Sequence, residues 1–149
     1  MKQILILAIA ILSITFCKAQ TAEDSVKAVI NQMFTAMKNA DSKMLSACFA
    51  DSAILQTISA GRNGTRVRTD SLAHFINGIN KLPKDSVDER ITFEMIKIDG
   101  LLASVWTPYQ FYYAGTFRHC GVNSFQLVRI NGLWKIQYLV DTRRRQGCL

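Results

Sequence analysis

Residues 122–140 read VNSFQLVRINGLWKIQYLV, two β-branched and aromatic runs divided by Asn131-Gly132. Asn-Gly accepts φ > 0 at both central positions of a two-residue turn, so Val122–Ile130 and Trp134–Val140 are expected to pair as an antiparallel hairpin. Upstream, Asp99-Gly100 divides Arg90–Ile98 from Leu101–Ala114 in the same way. Four long strands thus follow one another as a meander. Pro108 interrupts the third; it lacks an N–H, which places a bulge or bend near Thr107–Tyr109.

The first half carries a helical period instead. Val26, Val29, Ile30, Met33, Phe34 and Met37 make one apolar stripe. Thr21 with Asp24 resembles a capping box at its start. Asn39 ends this helix, and Asp41 caps a second, short one through about Phe49. Ala53–Ile58 reads as a strand and residues 60–65 as a loop. Asp70 caps a third helix with Leu72, Phe75, Ile76 and Ile79 on its apolar face; Asn77-Gly78 and Pro83 mark its end. Helices followed by strands indicate an α+β fold, with the N-terminal helices packed on one face of a strongly curved antiparallel sheet. Wrapping such a sheet over a long helix makes a cone with an open mouth.

Lys2, the apolar run Ile4–Phe16 and the small residues at Cys17 and Ala19 predict a secretory signal peptide at 1–19. The run is too short for a comfortable membrane span, so no stable span is expected after cleavage, and the protein is expected to be secreted or periplasmic. Cleavage leaves 130 residues, 149 less 19, enough for a single domain at 20–149. The net charge of +7 falls to +5 without Lys2 and Lys18, and three of those charges are Arg143–Arg145. A nucleic-acid binder would spread Lys and Arg along a face among stacking aromatics; that pattern is missing, so no nucleic acid is expected. Cys48 sits in an apolar helical stretch and reads as a buried hydrophobe. Cys120 and Cys148 are then the expected disulfide of an oxidising compartment. No CxxC or paired His suggests a metal site, and no motif suggests a cofactor.

The element order, together with Gly132-Leu133-Trp134-Lys135-Ile136, resembles the nuclear-transport-factor-two-like superfamily, with SnoaL-like and lumazine-binding-protein-like secreted members nearest. The resemblance spans about Ala22–Arg145 and implies a cystatin-like cone. It implies less about function, because the superfamily includes isomerases, dehydratases, cyclases, ligand binders and interaction modules. Its proton-transfer enzymes use a cavity Asp, often with a His or Tyr partner. Carried to this chain, that makes Asp141, His119, Tyr109, Tyr112 and Tyr138 the candidates.

A strict two-residue hairpin sets Ile130 opposite Leu133. Leu127/Ile136, Phe125/Tyr138, Asn123/Val140 and His119/Arg144 then share the inward face. On that register Asp141 lies on the opposite face near Arg143 as a surface pair, an assignment that a bulge would reverse. Cys120 lies opposite Arg143. At the other hairpin, Phe93 opposes Trp106 and Met95 opposes Ser104. An apolar base with a few converging polar groups suits a small molecule, and the expected ligand contacts are His119, Asn123, Tyr138, Tyr109, Tyr112 and Trp106. Arg62, Arg66 and Arg68 flank a Gly-rich loop that no Gly-Lys-Ser/Thr follows, so it reads as a solvated loop at the mouth. Arg143–Arg145 reads as an ordinary basic tail, and His74 as solvent-exposed. The expected function is a non-catalytic binder of a small hydrophobic or aromatic molecule, homodimeric through its open sheet. The alternatives are an isomerase or dehydratase with His119 or Asp141 as base and a tyrosine hydroxyl polarising substrate, or an interaction module with a filled cone. A cavity carboxylate within reach of a tyrosine distinguishes the enzyme; a missing cavity distinguishes the module.

Overall fold

The computed structural model describes residues 21–62 and 64–148. The expected signal peptide lies outside the described residues. Helix α1 (Ala22–Asn39) starts at Thr21, which forms the expected capping box with Asp24. It turns at Ala40 (φ 53°) into α2 (Ser42–Ala47), capped by Asp41. Strands β1 (Phe49–Gly61) and β2 (Gly64–Asp70) form a hairpin. Helix α3 (Leu72–Asn80) follows, and then β3 (Val87–Ile91), β4 (Met95–Asp99), β5 (Leu102–Tyr113), β6 (Thr116–Ile130) and β7 (Leu133–Arg143).

The strands form one sheet in the order β2-β1-β7-β6-β5-β3, with β4 also on β5. The fold is α+β with helices on one face of a mostly antiparallel sheet. One pair departs from the expected all-antiparallel ladder: β1 runs parallel to β7. Several local expectations need correction. Residues 60–61 and 64–65, expected in a loop, belong to strands β1 and β2, because Gly61 pairs with Gly64 and the chain doubles straight back. Ser71, not Asp70, caps α3, accepting from the His74 N–H at 3.1 Å. Asn77-Gly78 lies within that helix. The segment 90–98 is two strands, and β5 itself passes unbroken through Pro108; the irregularity falls on the facing chain at residues 92–94. Its hairpin closes one step later than expected, with Asp99 opposite Leu102 and Met95 opposite Trp106. That slide of two residues keeps Met95, Ser104 and Trp106 on one face, but the break at 92–94 turns Phe93 away from Trp106, to pack beside the core under Lys27.

Val26, Ile30, Met33 and Ala36 of α1 are all but fully buried against Ala103, Val105, Phe125, Leu127 and Ile136 of the sheet. Phe34 meets Phe125 edge-on at 6.3 Å, and Phe75 of α3 meets Phe49 at 6.2 Å. Burying each such aromatic contributes about 2–3 kcal/mol. Cys120 and Cys148 are joined, and Cys48 is a buried free thiol whose pKa burial pushes up to about 11. No helix among the described residues is long and apolar enough to cross a membrane.

Candidate functional site

Cross-strand pairing lays the inward side chains out in rows. Leu55, Leu139, Phe125 and Val105 are neighbours on β1, β7, β6 and β5, an apolar row against α1. The next row toward the mouth is polar across five strands: Arg68, Thr57, Asp141, Asn123 and Thr107. Beyond it come Arg66, Ser59 and Arg143, with Tyr109 opposite Gly121. Last, His119 opposes Phe111, which opposes Glu89. Side chains from each of these rows, with Met33, Phe34 and Met37 of α1 and Phe75 and Ile79 of α3, enclose a cavity of about 230 Å³.

Asp141 reaches this cavity because β7 carries one extra residue. The hairpin is strict as far as Leu127↔Ile136, after which Gln126 pairs with Tyr138, leaving Gln137 out of the ladder. Every later β7 side chain changes face. Asp141 is therefore inside, opposite Asn123, and its pairing with Arg143 (2.8 Å) belongs to the cavity wall, not the outer surface. Likewise Cys120 opposes Arg144 rather than Arg143. Tyr138 goes outward, where its hydroxyl donates to Gln56 Oε1 at 2.6 Å.

Gly121 makes the second adjustment. A Cβ there would lie 1.7 Å from the Thr142 carbonyl oxygen and 2.9 Å from the Tyr109 ring. Without one, the Tyr109 ring crosses the strand, and its hydroxyl donates to the Thr142 carbonyl (2.9 Å) and Asp141 Oδ2 (3.2 Å). Thr57 Oγ1 donates to Asp141 Oδ1 at 2.6 Å. Asp141 is thus held by Thr57, Tyr109 and Arg143 together.

Glu89 is the second cavity carboxylate, and Asn123 Nδ2 donates to its Oε1 at 2.8 Å. Glu89 is half-buried and lines the cavity. Burial pushes its carboxyl up to about 7; Asp141 adds to the shift, while Asn123 and Arg143 oppose it. Glu89 therefore exchanges its proton near neutral pH. Burial, reinforced by Asp141 and Glu89, drives the Tyr109 hydroxyl well above the ordinary phenol range, so it remains a donor. Burial and then Arg143 lower His119, whose ring stacks on Phe111 (4.7 Å) and meets Tyr109 edge-on (5.7 Å). Thr107 Oγ1 is buried without a hydrogen-bond partner among the described residues.

Of the expected contacts, His119, Asn123 and Tyr109 line the cavity, and Asp141 joins them. Tyr138, Tyr112 and Trp106 do not. Tyr112 and Trp106 occupy the alternate positions of β5 and so face away from the helices. Arg90 lies over the Tyr112 ring, and Trp106 is 40% exposed beside Met95. Sequence reasoning missed Glu89 because it sought acids only on the last two strands. The alternation Val87, Glu89, Ile91 was the available signal, an acid on the apolar face of a strand. His74 is exposed as expected, and is bound to Asp70 at 2.7 Å.

This architecture defines a cystatin-like cone of the nuclear-transport-factor-two-like kind with a polar-walled cavity. Residues 21–138 match the family described as "Putative lumazine-binding", and the chain belongs to that family. Solved structures share the fold. An NTF2-like protein of unknown function from Shewanella baltica is 15% identical, with 83% of this chain and 94% of that one aligned at a TM-score of 0.66. A cystatin-like domain from Nostoc punctiforme is 14% identical, covering 87% and 82% at 0.68. An NTF2-like protein from Methylobacillus flagellatus is 20% identical, covering 85% and 96% at 0.63. Among curated proteins nothing matches.

Proposed function

We propose that this chain is an exported binding domain that holds a small, flat, partly polar molecule inside the cone. The observation that carries this reading is a cavity with an apolar base, a His119–Phe111 stack on one side and the Glu89–Asn123 pair facing the space. The family's description supports a bicyclic heterocycle of the lumazine kind. Such a ring carries N–H groups, which the Glu89 carboxylate accepts, and carbonyls, which need donors. Export is supported by the Ile4–Phe16 run and by the disulfide. Homodimerisation through the outer sheet face belongs to the same reading, supported by exposed Ile54, Met95 and Trp106 on that face.

Titrating lumazine by calorimetry tests the reading. Binding at one site per chain is expected, with His119→Ala weakening it about tenfold through loss of the stacked ring. Failure of lumazine and of a broad library of aromatic heterocycles to bind or to raise the melting temperature would refute it.

One observation favours an acid–base enzyme as the second reading: Asp141 stands in the cavity within hydrogen-bond reach of Tyr109, while Glu89 exchanges a proton near neutrality. Asp141 is engaged by three donors, so Glu89 is the group free to move a proton. Recovery of bound heterocycle chemically unchanged after long incubation separates the binder from the enzyme.

A further inference from the structure

Part of the chain's unneutralised positive charge lies at the cavity mouth. Arg143 is matched by Asp141 at 2.8 Å, and Arg68 lies 3.9 Å from Asp70. Arg66, Arg144 and Arg145 form no ion pair with any described carboxylate. Register sets Arg66 in line with Ser59 and Arg143 on the cavity side of the sheet. Arg144, Arg145 and Gln146 wall a shallow basin that shares His119 and Arg143 with the cavity itself.

The last residues are tied down, as the expected disulfide requires. Cys120 and Arg144 exchange both backbone hydrogen bonds at 2.9 Å. The Cys120–Cys148 disulfide then draws the chain back, with Gly147 at φ 63° making the turn and its carbonyl accepting from Arg144 Nε at 3.4 Å. The arginines are therefore carried by a closed loop anchored beside His119.

We infer that this mouth recognises an anionic group, a phosphate, sulfate or carboxylate, on the molecule whose flat body fills the cavity. The inference rests on the binding reading above and adds the ligand's class and its orientation. An anion cannot lie deep, because Glu89 and Asp141 line the interior. At the rim it meets guanidinium groups with free donors, the geometry suited to oxyanions. His119 stands where the flat body gives way to the charged end.

The test compares two probes with one ring, 2-naphthyl phosphate and 2-naphthol, titrated calorimetrically into the disulfide-bonded protein. At low salt the phosphate is expected to bind at least about tenfold more tightly, and to lose most of that advantage when ionic strength rises about tenfold. The double variant Arg144→Gln/Arg145→Gln, at two exposed positions, is expected to remove the advantage while 2-naphthol binds as before. Cys148→Ser, which opens the loop but keeps both arginines, should reduce it too. Equal affinity for the two probes, or an advantage that survives salt and the double substitution, overturns the anionic mouth and leaves the cavity reading standing. If neither probe binds, the cavity reading fails, and this inference fails with it.

Discussion

The two ends of the β5–β6–β7 meander share strands yet have opposite chemistry. Near the Asn131-Gly132 turn, pairing is regular, and Phe125, Leu127 and Ile136 lie fully buried under α1. Toward the far end the same strands present Asn123, Asp141, Tyr109 and His119 to a cavity. One unpaired residue, Gln137, and one missing side chain, at Gly121, separate the two. The base is what simple alternation produces; the site is what two local departures from alternation produce. Strand irregularities here re-aim side chains at the functional end of a sheet.

Gly121→Ala should break that contrast with the largest effect. Its Cβ would lie 1.7 Å from the Thr142 carbonyl oxygen and 2.9 Å from the Tyr109 ring, so β6 and β7 must part at the mouth and Tyr109 loses its place across the strand. A loss of more than about 4 kcal/mol is expected from urea unfolding, because the obstacle is backbone that has no rotamer to give. Gln137→Ala keeps the extra residue and removes only the side-chain hydrogen bonds to Ser52, costing about 1 kcal/mol. Similar costs for the two changes would show that the close approach at Gly121 does not set the mouth apart from the base.

The regular half of the molecule was legible in the sequence for the same reason that it is regular. Asn131-Gly132 sets its own register, the α1 stripe follows a single period, and Thr21 and Asp24 announce their cap. The candidate site was only partly legible. His119, Asn123 and Tyr109 lie on strands where parity from the turn still holds, whereas Tyr138 and Asp141 lie beyond Gln137, where it inverts. Nothing in Lys135-Ile136-Gln137-Tyr138 marks a bulge, because the bulge is held by Ser52 on a strand far away in sequence. The parallel β1–β7 pairing was hidden likewise, since parallel neighbours share no turn. Tyr112 and Trp106 illustrate a different limit: an aromatic residue in a strand packs well on either face.

Glu89→Gln sharpens the comparison through pH. The Glu89 carboxyl titrates near 4.5 when unperturbed and at about 7 in the fold. Between those values the folded protein retains a proton that the unfolded chain has released. Stability from this group is therefore present at low pH, declines as pH rises through the window, and levels off above about 7. The full decline is about 3 kcal/mol. The glutamine variant keeps the acceptor for Asn123 and lacks the titration, so it should exceed the parent in stability at about pH 8 and match it at about pH 5. Parallel urea profiles for the two proteins across that range would contradict the assignment. A large substitution effect at the base, such as Phe125→Ala, should by contrast be independent of pH.

Tyr109→Phe carries the smallest expected effect and isolates the role of Gly121. The phenol loses its bonds to Asp141 Oδ2 and the Thr142 carbonyl, while Thr57 and Arg143 still hold Asp141 in place. A net cost of about 1 kcal/mol is expected in urea unfolding, since one donor is lost and no charge is stranded. The ring, still crossing above Gly121, keeps its edge contact with His119, so lumazine affinity should change less than in His119→Ala. If the phenylalanine variant instead abolishes binding with no loss of stability, the Tyr109 hydroxyl contacts the ligand directly. Its bond to Asp141 is then a resting contact that the ligand displaces, rather than a brace for the cavity wall.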